Sequence, residues 1–208
     1  MSDTNFDVIV FGATSFVGQI VCEYLLNEQP DKSLRWAAAA RSESKLRTLQ
    51  SELGANDETM PLRLADANDP ESLAALCRQT RVMISTVGPY ALFGEPMVKA
   101  CVETGTDYCD LTGETQWIKR MVDAYDTQAK ETGARIVHCC GFDSIPSDLG
   151  VHFLQNQAQT SFGQPAVNVK LRVKAMRGGF SGGTAASLVN VIKEASKDPA
   201  LRKALANP

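Results

Sequence analysis

Gly12, Ser15 and Gly18 follow one another at three-residue intervals in the run Val8-Ile9-Val10-Phe11-Gly12-Ala13-Thr14-Ser15-Phe16-Val17-Gly18. Small residues at this spacing let a backbone turn sharply and bring free N–H groups, at the front of a helix, against a phosphate. The chemistry indicated is binding of a diphosphate bridge. Gly12 permits the turn and Gly18 lets the following helix pack closely on a sheet, while Ser15 stands where a full dinucleotide fingerprint has a third glycine. Its N–H is kept, and its hydroxyl is expected to donate to a phosphate oxygen. Thr14, Phe16 and Val17 complete the expected phosphate loop. An ordinary glycine turn before a helix is the competing assignment, since a lone glycine motif is a weak signal.

Arg41 is the second informative group, 23 positions beyond Gly18. An acid in that region would hold a ribose 2′-hydroxyl, whereas an arginine suits a 2′-phosphate. Arg41, Ser42 and Lys45 stand there without an acid at the strand end, so NADP is expected ahead of NAD. The alternative is a solvated Arg41 heading the next helix, with Ser42 as its cap. Asp66 ends a short apolar run, where it either meets the adenine or shapes a turn. Thr86-Val87-Gly88-Pro89-Tyr90 puts bare backbone after another apolar run. Tyr90 is expected to stack on a ring, to donate its hydroxyl or to pack. Tyr90, Asp143 and Ser144 are the candidates for a proton donor, and Asp143 and Ser144 are also residue types that organise turns.

These groups need a scaffold that brings strand ends together. The short apolar run 8–11 reads as a strand buried on both faces, and Val17, Gly18, Val21, Cys22, Leu25 and Leu26 follow at helical spacing. After a polar break at 27–33 containing Pro30, further strands are expected at 34–41, 61–66, 82–87, 107–111 and 134–140. Helices are expected at 43–53, from Asp69-Pro70 onward, at 97–104 and at 115–132, the last ending at Gly133. Strands alternating with helices give a doubly wound α/β, Rossmann-type parallel sheet over residues 1–145.

Residues 146–208 read differently. A helix is expected at 147–157, then a cleanly alternating strand at 167–175, a glycine-rich turn at 178–183, and an amphipathic helix at 184–196 before Asp198-Pro199 opens another. A lone strand makes no sheet. The expectation is the start of an α+β domain, either continued in a longer protein or paired with a second subunit as a homodimer.

Bulk composition narrows the partners. The 208 residues are 44% hydrophobic and 22% charged, with net charge −3. No basic excess calls for nucleic acid. No apolar run approaches the roughly 18 residues of a membrane span, and Met1-Ser2-Asp3-Thr4 does not open like a secretion signal, so a cytoplasmic location is expected. Six cysteines without a Cys-x-x-Cys pair, and only two histidines, make zinc or a disulfide framework unexpected.

Several of these blocks together resemble the saccharopine dehydrogenase-like oxidoreductases. They are the Gly12–Gly18 loop, Ala39-Ala40-Arg41-Ser42, Thr86-Val87-Gly88-Pro89-Tyr90, Tyr108-Cys109-Asp110-Leu111-Thr112-Gly113-Glu114, the stretch 139–150 and Ser181-Gly182-Gly183-Thr184. The resemblance is nearest to the trans-acting enoyl reductase branch. It implies an N-terminal NAD(P)-binding domain, a C-terminal α+β domain, reduction of a C=C or C=N bond in a small, lipid-like substrate, and a protein about twice this length. Two other functions are weighed beside it. One is an NADP-sensing module without turnover. The other is a semialdehyde dehydrogenase with Cys140 as nucleophile, for which His138 is the nearby base in sequence. Short-chain reductase chemistry is not expected, because no tyrosine has a lysine four residues on.

Overall fold

The computed structural model describes residues 5–28, 33–175, 177–179 and 181–206; Pro30 of the expected polar break and Phe180 of the glycine-rich turn lie outside them. Six parallel strands form one sheet: β1 (Phe6–Phe11), β2 (Trp36–Ala40), β3 (Leu62–Leu64), β4 (Thr80–Ser85), β5 (Asp107–Asp110) and β6 (Ile136–Val137). Their order is β3-β2-β1-β4-β5-β6, so the winding reverses between β1 and β4. At such a reversal the two loops leaving the strands diverge and open a crevice.

Helices α1 (Phe16–Asn27) and α2 (Glu43–Glu52) pack on one face, around Val10, Cys22, Trp36, Ala38, Leu46 and Leu49. On the other face α3 (Pro70–Cys77), α5 (Glu95–Thr104) and α6 (Thr115–Thr132) pack around Ile9, Phe11, Leu73, Met83, Met97, Val98, Tyr108 and Trp117. The single turn α4 (Tyr90–Phe93) lies just before α5. Strand β2 is Trp-Ala-Ala-Ala-Ala, buried along its whole length. Helix propensity would favour another state for four alanines; a site between two strands, covered on both faces, overrides it. Local signals set the helix starts as expected: Asp69 caps α3 by accepting from the Glu71 and Ser72 N–H groups, with Pro70 in the first turn.

Two matching clasps join neighbouring strands at their N-terminal ends. Asp7 accepts from the Arg35 backbone (3.0 Å) and side chain ahead of β2, and Asp107 accepts from the Arg135 backbone (2.9 Å) and side chain ahead of β6. In each case hydrogen bonding to the arginine, followed by its charge, holds the carboxyl below the ordinary aspartate value. Because the folded value lies below the unfolded one, this stabilisation is present above an ordinary value of 3.8 and is lost as pH falls through the folded value. The double variant Asp7→Asn, Asp107→Asn is therefore expected to be less stable at neutral pH but to lose less stability on acidification. Urea titrations at pH 7 and in the acid limb measure both effects.

Two expectations are corrected. The sixth strand, expected at 134–140, is only Ile136–Val137. It is an edge strand paired with β5 alone, and beyond it the chain turns away. Cys139 takes a positive φ of 62°, while the buried Asp110 carboxylate accepts from the Cys139 N–H (3.1 Å) and meets His138 Nδ1 (2.7 Å). The expected strand 167–175 has no strand partner among the described residues, and Val167, Leu171 and Val173 are exposed. Alternation makes a sequence competent for a sheet, but a strand exists only through a neighbour's hydrogen bonds. Helices α7 (Ile145–Phe162), α8 (Gly182–Lys197) and α9 (Pro199–Ala206) complete the chain, and α7 and α8 contribute no buried residue.

Candidate functional site

The glycine loop is built by steric exclusion. Gly12 has φ +86°, and a Cβ on it would meet Thr86 Oγ1 and Val87 Cγ2 at 2.7 Å. Its N–H is held by the Ala39 carbonyl (2.9 Å), and its own carbonyl accepts from the Ser15 N–H (2.8 Å) and the Thr86 hydroxyl (2.9 Å). The end of β1 and the loop after β4 are thus stitched together where the winding reverses.

Ser15 departs from its expected role. Its Oγ accepts from the Gly18 N–H (3.0 Å), making it the N-cap of α1. With the Thr86 proton on the Gly12 carbonyl, Ser15 is the donor in its 2.9 Å contact with Thr86 Oγ1. The hydroxyl expected to reach a phosphate is therefore committed inside the protein. The N–H groups of Phe16 and Val17, in the first turn of α1, have no protein partner among the described residues. The unpaired donors of this turn are thus backbone groups after Ser15. Ser15→Ala is expected to cost about 1 kcal/mol through the lost cap, or roughly 2–4 °C in Tm for a chain of this size. A thermal melt against Ser15→Gly, which keeps most of the cap's backbone preference, measures it.

The loop opens on two adjoining cavities. The first, about 300 Å³, is lined by Gly12, Thr14, Ser15, Arg41, Asp66, Thr86, Val87 and Gly88 among others. Arg41 is exposed at its rim, and its guanidinium has no partner among the described residues. Asp66 lines the same space, and its carboxylate accepts from the Asn68 N–H (2.9 Å), which is the turn role expected of it. The second cavity, about 540 Å³, shares Ser15, Thr86 and Gly88 and adds Phe16, Val17, Tyr90, Glu114, Asp143 and residues of α8. Expected site residues from four separate strand ends thus meet along one crevice.

Others do not meet there. Gly18 is buried in packing, and Ser42 caps α2 by accepting from the Lys45 N–H (3.4 Å). Ser42, Lys45, Pro89 and Ser144 line neither cavity. Of the roles expected for Tyr90, packing is the one seen: its hydroxyl donates to the Ser85 carbonyl (3.0 Å) and accepts from the Leu111 N–H (3.4 Å). Burial, then the Asp110 charge, pushes the phenol well above its ordinary value. It packs against Trp117 with ring centroids 5.4 Å apart. A tyrosine so placed braces the turn. For the Cys140 reading, the thiol donates to the Val137 and His138 carbonyls (3.6 and 3.8 Å), with no contact to the His138 ring among the described residues; partial burial of the thiol, then the Asp110 charge, raises Cys140 above its ordinary value.

Sequence reasoning missed Phe93 and Glu114. Phe93 lines the first cavity and is 40% exposed. An aromatic following the Gly-Pro turn was the available signal. Glu114 is buried, and the partners of its carboxylate are distant in sequence: the Tyr90 and Ala91 N–H groups (2.8 and 3.0 Å) and the Ser187 hydroxyl (2.8 Å). Among the described residues no helix is long and apolar enough to cross a membrane.

The saccharopine dehydrogenase NADP binding domain family matches residues 8–137. A Mycobacterium tuberculosis protein provisionally named a trans-acting enoyl reductase is 43% identical over 204 residues, 98% of this chain and 48% of the relative. The trans-acting enoyl reductase of Mycobacterium ulcerans is 41% identical over 206 residues, 98% of this chain and 49% of its own length. That of Mycobacterium bovis is 38% identical over 208 residues, 100% and 49% respectively. The chain thus spans about half the length of these relatives. Among solved structures, saccharopine dehydrogenase (L-Glu forming) from Saccharomyces cerevisiae shares the fold at TM-score 0.54 and 19% identity, over 72% of this chain and 32% of that one.

Proposed function

The chain belongs to the saccharopine dehydrogenase-like family through its NADP-binding domain, and from that premise we propose that it supplies the cofactor half of an NADPH-dependent reductase acting on an activated C=C bond. The observation that carries this reading is the shared crevice. Gly12 and Arg41 line the first cavity, and Phe16 and Val17, whose N–H groups have no partner among the described residues, line the adjoining second one. The Gly12 turn is available only to glycine, because its φ is +86° and a Cβ there would meet Thr86 and Val87 at 2.7 Å.

In this reading NADPH, when bound, supplies the hydride. The protein's part is placement. The first turn of α1 takes the diphosphate on backbone N–H groups and the positive helix end. Arg41 takes the 2′-phosphate with a charge-assisted hydrogen bond, and Ala65, Asp66 and Phe93 border the adenine end. Thr86, Val87 and Gly88 hold the opposite end, toward the second cavity. That cavity is walled by Phe16, Val17, Leu111, Leu188 and Val191 along with hydroxyl groups, which suits a lipid-like acyl substrate with a polar head. Of the candidate proton donors, Tyr90 and Asp143 line this cavity, and the Tyr90 hydroxyl is hydrogen-bonded to the Ser85 carbonyl, which favours Asp143. Residues 1–145 form the cofactor domain, and 146–208 begin the substrate domain. The relatives' names favour an enoyl over an imino acceptor.

Calorimetric titration of this chain is expected to show NADPH binding at least tenfold more tightly than NADH; equal affinities would defeat the reading. Turnover is tested by NADPH oxidation across enoyl and imino substrates, using a protein of the relatives' full length.

A further inference from the structure

Asp110 and Glu114 are both buried to 2% exposure. Asp110 is accounted for by the turn after β5, whereas Glu114 reaches across the second cavity to two separate elements. Its Oε1 accepts from the Tyr90 N–H and the Ser187 hydroxyl, both at 2.8 Å, and its Oε2 accepts from the Ala91 N–H at 3.0 Å. Tyr90 and Ala91 lie on the turn that follows Gly88, whereas Ser187 lies in α8. Ser181, Gly183, Thr184, Ser187, Leu188 and Val191 form the roof of the cavity whose floor includes Ser15, Thr86 and Gly88.

The attachment of this roof is polar. No residue of α8 is buried, and beyond Ser187 its polar contacts to α6 run through Glu194, with Gln116 at 3.4 Å and Arg120 at 3.7 Å. A helix held this way opens at a free energy well below that of the core. We propose that Glu114 is a positioning residue: it couples the loop after β4 to α8 and so latches α8 as a roof over the reactive end of the cofactor. Which end of the cofactor lies beneath the roof rests on the function proposed above; the latch itself does not.

The two halves of the latch separate by mutation. Ser187→Ala removes the roof contact alone. Glu114→Gln keeps the size of the side chain but turns one acceptor into a donor, which then opposes a backbone N–H. Hydrogen–deuterium exchange of the 208-residue chain follows 90–93 and 182–197, and calorimetry compares NADP with adenosine 2′,5′-bisphosphate, which lacks the nicotinamide half. Ser187→Ala is expected to speed exchange severalfold in 182–197 and to leave 90–93 at the wild-type rate. Glu114→Gln is expected to speed exchange in both and to weaken NADP about tenfold, with the bisphosphate held within roughly twofold. Unchanged exchange in 182–197 for Ser187→Ala, or a Glu114→Gln variant that weakens both ligands alike or neither, overturns the proposal. If the wild-type chain binds neither ligand, the cofactor reading fails instead, and the exchange measurements still decide the latch.

Discussion

Gly18→Ala is expected to abolish NADP binding and to cost about 3 kcal/mol or more of stability, at or beyond the upper end of the overpacking range. The added Cβ would sit 2.2 Å from the Gly12 carbonyl oxygen and 2.8 Å from the Ala13 Cα. Both neighbours are backbone, so no side chain can swing aside. The carbonyl in the way already receives the Ser15 N–H and the Thr86 hydroxyl, so displacing it loosens the phosphate loop and the end of β4 together. Denaturant titration and calorimetry with NADP read the two losses. Gly150→Ala is the control, since a Cβ there meets nothing within 4 Å and Gly150 lies inside α7. It is expected to be neutral or slightly stabilising. A Gly18→Ala variant that binds NADP normally would show that the loop does not carry the diphosphate.

Arg41→Ala is expected to weaken NADP by about ten- to a hundredfold and to leave NAD unchanged. A hydrogen bond to a charged group contributes about 1.5–3 kcal/mol, and tenfold in affinity is about 1.4 kcal/mol. Arg41 is exposed at the cavity rim without a partner among the described residues, so its removal breaks no internal contact. This makes it a clean probe: stability is expected to stay within the ±0.5 kcal/mol typical of surface changes. Lys45 is the neighbouring cation and lines neither cavity, so Lys45→Ala is the matched control for net charge. Equal losses for the two variants would reduce the effect to general electrostatics.

What could be read before the fold was known divides along a physical line. The Asp69 cap and the Gly133 helix end depend on residues within a few positions of one another, and both stand where local chemistry places them. The roles of Ser15, Tyr90 and Glu114 depend on Thr86, Ser85 with Leu111, and Ser187. Those partners are distant in sequence or belong to a different element, and nothing in the local pattern announces them. Tyr90 shows the hazard most plainly: a tyrosine after Gly-Pro at a strand end invites a ligand role, yet the Ser85 carbonyl takes its proton. The segment 167–175 shows the converse, since its alternation is genuine but it has no strand partner among the described residues.

Helices α7 and α8 together hold 34 residues, 18 and 16, and enclose no interior. The heat capacity gained on melting comes mainly from apolar surface newly wetted. Unravelling these two helices would wet little that is dry, so a calorimeter would scarcely register the event. The thermogram of this chain would report the sheet and its two helical layers. The roof over the second cavity could come and go beneath that signal.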